Sequence, residues 1–423
     1  MTCTQMKYIS ILIALLAASS SSNAQHTASP SIPDRTLNIT AFGADGTGKR
    51  SSTQAIQQAL DQLHSLGGGK VVVPRGIYLC GPLKLYSYIN LQLDAGATLR
   101  LNNEISSYVL EDGHYGNFIE AKDATDIKIS GTGTLDGQGE IWWQQFDAKK
   151  LQYRRPQMVY LVNPTRLEIS GITFLNPPNT HLSVKDGTDV YIHHISMQAP
   201  ENSHNTDGIN ISVRNCTIEQ STFSTGDDDI ALNFGSRKDA TGLPACTQIL
   251  IRNCTFLSGH GLSIGSYTAG NLNGLKVSEC SFEGTASALR IKSARGRGGI
   301  VENVSYSDIT IKNSKSPIYI SAYYPKEPAS PELDTAAAVK TTTPTYRNIK
   351  FKNVTVTNAE YALRLWGLPE SPLQNISFEN VAISAKKAGI IANAKDISFI
   401  NSKLIVQDKS VIQQYHSDAR GLE

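Results

Sequence analysis

Charge is scarce in this chain. Asp, Glu, Lys and Arg make up 18% of 423 residues, and 39 basic against 37 acidic residues leave a net charge of +2. That balance excludes a general polyanion binder and gives no broad grip on nucleic acid or an anionic membrane. Cysteine is scarce too. Of six, Cys3 precedes an N-terminal apolar run, and the other five are Cys80, Cys216, Cys246, Cys254 and Cys280. They form no C-x-x-C pair and no Cys/His zinc spacing, so neither a disulfide framework nor structural zinc is expected, one bridge at most. No stretch beyond residue 24 approaches 18 consecutive apolar residues, so no membrane span is expected. Gly and Pro, 33 and 17, are present at ordinary levels, which with the low charge argues against disorder.

The first 24 residues read as a cleavable signal. Lys7 supplies a basic end, Ile9 to Ala18 a short apolar core, and Ser22-Asn23-Ala24 a small-residue cleavage site. A secreted or periplasmic protein is expected, with residues 25–423 as one domain. Length alone would give two or three domains at roughly 150 residues each, but repeat folds escape that prior.

A repeat is present. Segments such as 126–130, 166–174, 189–197, 249–256, 275–282, 304–311, 349–356, 376–383 and 397–404 each hold two short stretches of alternating polarity around a polar bend. Their closing apolar residues are Phe174, Met197, Phe223, Phe256, Phe282, Ile311, Val356, Ile383 and Leu404, spaced 23, 26, 33, 26, 29, 45, 27 and 21 apart. Asn-Gly hairpin signals are scarce, which disfavours a sandwich or barrel. The pattern predicts an all-β solenoid, a single right-handed parallel β-helix whose coils carry loops of different length. Cys254 and Cys280 should stack as small core residues. The 45-residue step contains a Pro/Thr/Ala-rich stretch, 325–345, expected to be a mobile loop. One helix is expected to cap the N-terminal end: Ser51-Ser52-Thr53-Gln54 resembles a capping box, Ala55, Ile56, Ala59, Leu60, Leu63 and Leu66 form a stripe, and Gly67-Gly68-Gly69 ends it. Seven Asn-x-Ser/Thr sites, among them Asn215, Asn253, Asn303, Asn353 and Asn375, fall at repeat bends and read as turn residues that tolerate left-handed backbone.

The polar residues with chemistry in them cluster in the middle coils. Asn205-Thr206-Asp207-Gly208 is followed by Gly226-Asp227-Asp228-Asp229, then Gly259-His260-Gly261, then Arg290-Ile291-Lys292. At coil-like spacing these stack about 4.8 Å apart along one ladder, acids at one end and cations at the other. Four acids this close cannot all ionise comfortably, so at least one should hold a proton near neutral pH, as an acid catalyst of glycoside hydrolysis requires. A solvated acidic turn or a calcium site is the bland alternative. The glycines beside Asp227 and His260 are expected to keep backbone accessible to a ligand. Strand alternation should turn Asp229 away from Asp228. It should also put His193 and His194 on opposite faces, so that they cannot chelate together.

These four motifs, in order, resemble the signature motifs of the polygalacturonases, glycoside hydrolase family 28. The stretches 42–60 and 67–85 and the run Gly131 to Gly139 with Trp142-Trp143 resemble other landmarks of the family, and the likeness covers residues 36 to 405. The resemblance implies a parallel β-helix that hydrolyses α-1,4-galacturonosyl bonds with inversion, without metal or cofactor. Its partner would be a pectic galacturonan, with no nucleic acid or membrane, and the protein would act as a monomer. It implies Asp227 as general acid, Asp207 and Asp228 as holders of the attacking water, and His260 beside the scissile bond. Asn205, Arg290 and Lys292 would contact substrate, the two cations by gripping a uronate carboxylate. Many fungal members carry a Tyr where Ser316 stands here; Tyr324 matches a later Tyr of plant-like members. Alternatives are an exo-acting, rhamnogalacturonan- or xylogalacturonan-directed member, a calcium-dependent lyase on the same architecture, and a non-catalytic carbohydrate-binding β-helix.

Overall fold

The computed structural model describes residues 28–110, 113–235 and 246–421; the expected signal lies outside them. Thirty strands join one sheet that winds round an axis, and the strand pairings are parallel throughout. A lone antiparallel bridge joins Val109 and Tyr115. No helix among the described residues is long and apolar enough to cross a membrane.

The closing apolar residues define the stacking. Phe174 pairs with Met197, Met197 with Phe223, and the series continues through Phe256, Phe282, Ile311, Val356 and Ile383 to Leu404. It extends backwards to Leu135, Leu99 and Tyr78. Coil length varies while register holds, because loops leave the stack at bends and return to the same rung. Phe223, Phe256 and Phe282 stack at 5.2 and 4.3 Å, and Tyr306, Phe351, Phe378 and Phe399 at 5.0, 4.8 and 4.5 Å. A fully buried Phe contributes about 1.5–3 kcal/mol, so the interior ladders supply much of the stabilisation. Cys254 and Cys280 sit side by side in this interior, and all five described cysteines are buried free thiols.

The bends carry a second kind of ladder. Asn303, Asn348 and Asn375 hold φ of 57, 56 and 51°, and each side-chain amide donates to the acceptor one coil earlier: Asn303 to Asn273 at 2.9 Å, Asn348 to Asn303 at 3.2 Å, Asn375 to Asn348 at 2.9 Å. A parallel row runs Asp308, Asn353, Asn380, Asn401, with donations of 2.8, 3.1 and 2.7 Å. Asn303, Asn353 and Asn375 are thus turn residues with working amides.

Helix α1 (Thr53–Ser65) buries Ala55, Ile56, Ala59, Leu60 and Leu63 against the first strands. Two details of the expectation fail. Leu66 lies past the helix and is exposed. Ser52, at the N-cap, makes no capping bond, because its hydroxyl accepts from the Asp45 N–H at 2.9 Å. A second helix, α2 (Glu140–Asp147), follows the Gly131–Gly139 run and buries Trp142. The stretch 325–345 is fastened to the body: Glu327 accepts from Tyr319 (2.9 Å) and Arg364, and Asp334 accepts from Arg295 and Tyr323, both at 2.7 Å.

Candidate active site

Four consecutive coils present the motifs. The strands Ile209–Glu219, Ile230–Leu232, Leu262–Ile264 and Ser287–Lys292 are neighbours in that order. Asp207 and Asp227–Asp229 immediately precede the first two, and Gly259-His260-Gly261 the third. The local backbone is tight. A Cβ on Gly226 would lie 2.3 Å from the Ser203 carbonyl, and one on Gly261, at φ 72°, 2.1 Å from that of Ser287. These glycines serve the close approach of coil to coil, which replaces the expected reason of access for a ligand.

Adjacent acids meet different fates. Asp228 is buried, and its carboxylate receives Lys292 Nζ at 2.6 Å, Ser263 Oγ at 2.7 Å and Arg290 Nη1 at 3.5 Å. Asp229 points inward, as alternation predicted. It is fully buried and accepts from Thr225 Oγ1 at 2.8 Å and the Gly261 N–H at 3.1 Å, and burial pushes it well above the ordinary carboxylate value. Asp227 is partly open to solvent, with 24% of its side chain exposed. Its Oδ1 is 3.0 Å from His260 Nδ1, and Asn205 Nδ2 reaches its Oδ2 at 3.4 Å.

The crowding raises one of the two partly exposed acids. Burial, followed by the charges of Asp227 and Asp228, pushes Asp207 up to about 7. Burial also acts to raise Asp227, but the hydrogen bond and charge of His260, with Lys292 and the Asp228 N–H, outweigh it and leave Asp227 below its usual value. Of these two acids Asp207 is thus the raised one, whereas the sequence reading made Asp227 the general acid.

The cations divide their work. Lys292 is 4% exposed and committed to Asp228. Arg290 is held more loosely: it reaches Asp228 only at 3.5 Å, its buried Nε has no hydrogen-bond partner, and its guanidinium stands 5.5 Å from the ring centres of both Tyr319 and Tyr324. Tyr324 also lies 5.0 Å from Lys292 Nζ and 5.3 Å from Arg297, so the structure brings it into the cluster.

Several contributors have no motif. Ser263 bonds Asp228. Lys185 donates to Asn210 Oδ1 at 2.7 Å, and Asn210 Nδ2 donates to Asp207 Oδ2 at 3.2 Å. Burial lowers Lys185 to about 8, so it is charged at neutral pH and fixes which end of the Asn210 amide faces Asp207. Buried His181 contacts the Asp207 carbonyl at 2.8 Å. Buried Arg155 donates to the carbonyls of Pro178 and His204 and to Asn205 Oδ1, at 3.0, 2.8 and 2.9 Å. Only the closeness of Asn210 to Asp207 in the chain, three residues on and at the start of the strand Ile209–Glu219, offered a signal.

Among the described residues, Asp227, Asp228 and His260 form the one group whose ligand-type atoms lie within 4.8 Å of one another. A cation there would compete with Lys292 and Arg290 for Asp228. His193 and His194 correct another expectation. His194 leaves the strand at φ 54°, and its Nδ1 comes within 2.8 Å of His193 Nδ1. Opposite faces hold only for residues that are both extended.

The model of glycosyl hydrolases family 28 matches residues 66–403, and the chain belongs to that family. It is thus a glycosidase by family. Among its relatives, an endo-polygalacturonase of Pectobacterium carotovorum subsp. carotovorum is 30% identical over 408 residues, 90% of this chain and 95% of the relative. A probable polygalacturonase of Vitis vinifera is 31% identical over 385 residues, 85% of this chain and 77% of the relative. The crystal structure of an exopolygalacturonase from Thermotoga maritima superposes with a TM-score of 0.80 at 26% identity, over 90% of this chain and 94% of the other.

Proposed function

We propose that the protein is an exported polygalacturonase that hydrolyses α-1,4-galacturonosyl bonds with inversion, as a monomer and without a metal. Its coil is right-handed, as parallel crossovers nearly always are, and α1 covers the N-terminal end. The carrying observation is the side-chain cluster: Asp207, Asp227 and Asp228 on successive coils, with His260 on Asp227 and with Lys292 and Arg290 on Asp228. Arg290 takes the carboxylate of a uronate, Tyr324 flanks it, and Lys292 holds Asp228 by a 2.6 Å ion pair. Asp227 is the acid: unlike Asp228 and Asp229 it is partly exposed, and its two oxygens are met by His260 and Asn205. A bound uronate brings negative charge and excludes water, both of which raise Asp227 and draw the proton from Asp207. Asp207 and Asp228 then hold and activate water, while His260 and Asn205 orient Asp227.

The test is digestion of polygalacturonate followed by NMR. New reducing ends that appear first as the β-anomer, unchanged in chelator, are the expected result. Unsaturated products or chelator-sensitive activity would instead mean a lyase, and binding with no new ends a carbohydrate-binding module.

A further inference from the structure

A cavity of about 640 Å³ opens beside the acids, on the earlier coils, away from Arg290 and Lys292. Asn205, Asp207 and Asn210 form one wall. The other is the segment after α2, with Lys149, Arg154 and Arg155. This second wall is fastened. Arg155 is 3% exposed, packs 4.1 Å over the Phe146 ring, and places its donors on Pro178, His204 and Asn205.

With Arg155 spent inward, Arg154 and Lys149 remain exposed at the cavity. Among the described residues neither makes an ion pair or a side-chain hydrogen bond. The nearby acid Asp147 lies 3.8 Å from His204, and Asp207, the only acid in the lining, accepts from Asn210 and is pushed up to about 7. Two uncompensated cations in a concave, otherwise polar site call for an anion. Because the cavity shares Asn205 and Asp207 with the acid cluster, that anion belongs to the same molecule whose bond is cut.

We propose that this cavity is a second carboxylate-reading subsite, in which Arg154, assisted by Lys149, binds a uronate unit on the Asp207 side of the scissile bond. It rests on the galacturonan reading above. A bidentate guanidinium–carboxylate contact is geometrically specific, so lysine at position 154 should restore only part of its effect.

Arg154→Gln and Arg154→Lys are compared with the unaltered enzyme on reducing-end-labelled oligogalacturonides of graded length. The expected result is a loss in kcat/KM that grows with chain length to about 10- to 100-fold, mostly through KM, with the preferred cleavage position displaced. Titration of the same oligomers into Asp227→Asn and Asp227→Asn/Arg154→Gln enzymes should show a matching loss of affinity and a weaker salt dependence for the double variant. A loss independent of length, or equal affinity of the two proteins, overturns the proposal. Failure of the unaltered enzyme to cleave any oligogalacturonide would instead sink the substrate reading itself.

Discussion

Two stacks of polar side chains run along this molecule, and they solve the same spacing in opposite ways. At the bends, Asn303, Asn348 and Asn375 are neutral; each amide donates to the coil before it, and Asn303 and Asn348 also accept from the coil after. Repetition at about 4.8 Å satisfies them. At the groove, Asp207, Asp227 and Asp228 are all acceptors when ionised, so the same repetition sets like charges together. Relief comes from Lys292, Arg290 and His260, and the strain that remains shows as an Asp207 carboxyl raised to about 7. Stacking rewards a group that can both give and take. A stack of acids becomes reactive for the reason that the amide stack is inert.

The largest break in this contrast should come from Asp227→Asn. It keeps shape and removes the transferable proton, so kcat should fall by roughly 10²–10⁴-fold with substrate still bound. Asp229→Asn should lower thermal stability instead and leave kcat per folded molecule far less changed. Equal kinetic loss at both positions would reverse the assignment of inward and outward acids.

Lys292→Met should come next. It strands a buried carboxylate on Asp228, and losing one partner of a buried pair costs about 3–5 kcal/mol, readable by denaturant unfolding. Asp228→Asn/Lys292→Met should recover most of the stability while remaining inactive. If the single variant unfolds like the parent, Lys292 does not neutralise Asp228.

At the amide stack, Asn353→Ala removes a donor to Asp308 and an acceptor for Asn380 at φ 53°, and should cost about 1–2 kcal/mol. Asn353→Gly keeps the backbone geometry and should cost less. Identical losses would mean that backbone strain contributes nothing, and a glycine variant as stable as the parent would mean that the ladder bonds contribute nothing.

The smallest expected effect sharpens the acid side. Lys185→Met frees the Asn210 amide and removes a charge near Asp207, so the Asp207 proton should bind more tightly. The acid limb of kcat/KM should move up by about half a unit to one unit. The sign for stability follows from Asp207 lying at about 7, above its ordinary 3.8. Its stabilising contribution is full below the unfolded value and is lost as pH rises through 7. An unmoved limb would show that Asp207 does not govern it.

Much of this was legible because the solenoid repeats. Phe174 through Leu404 could be aligned by eye, and each lands on its partner. The acids and cations could be placed on successive coils for the same reason. What escaped was set by folding in three dimensions. Lys185 and Ser263 stand alone in sequence and become partners of Asp207 and Asp228 only through neighbouring coils. Which acid keeps the proton depends on burial and on His260, not on order in the chain. His194 was misplaced because a bend breaks alternation. The 325–345 stretch looked loose because Glu327 and Asp334 find Arg364 and Arg295 far along the sequence.

The amide rows at the bends also have a direction. Asn348 donates to Asn303, Asn375 to Asn348, and Asn401 to Asn380, in each case to an earlier residue. A ribosome delivers the chain in that same order. Each new coil thus meets a docking edge already finished, with an amide oxygen waiting, and leaves its own oxygen for the next. Truncation from the C-terminal side removes donors whose absence leaves earlier coils complete, while truncation from the N-terminal side removes the acceptors on which the rest was laid.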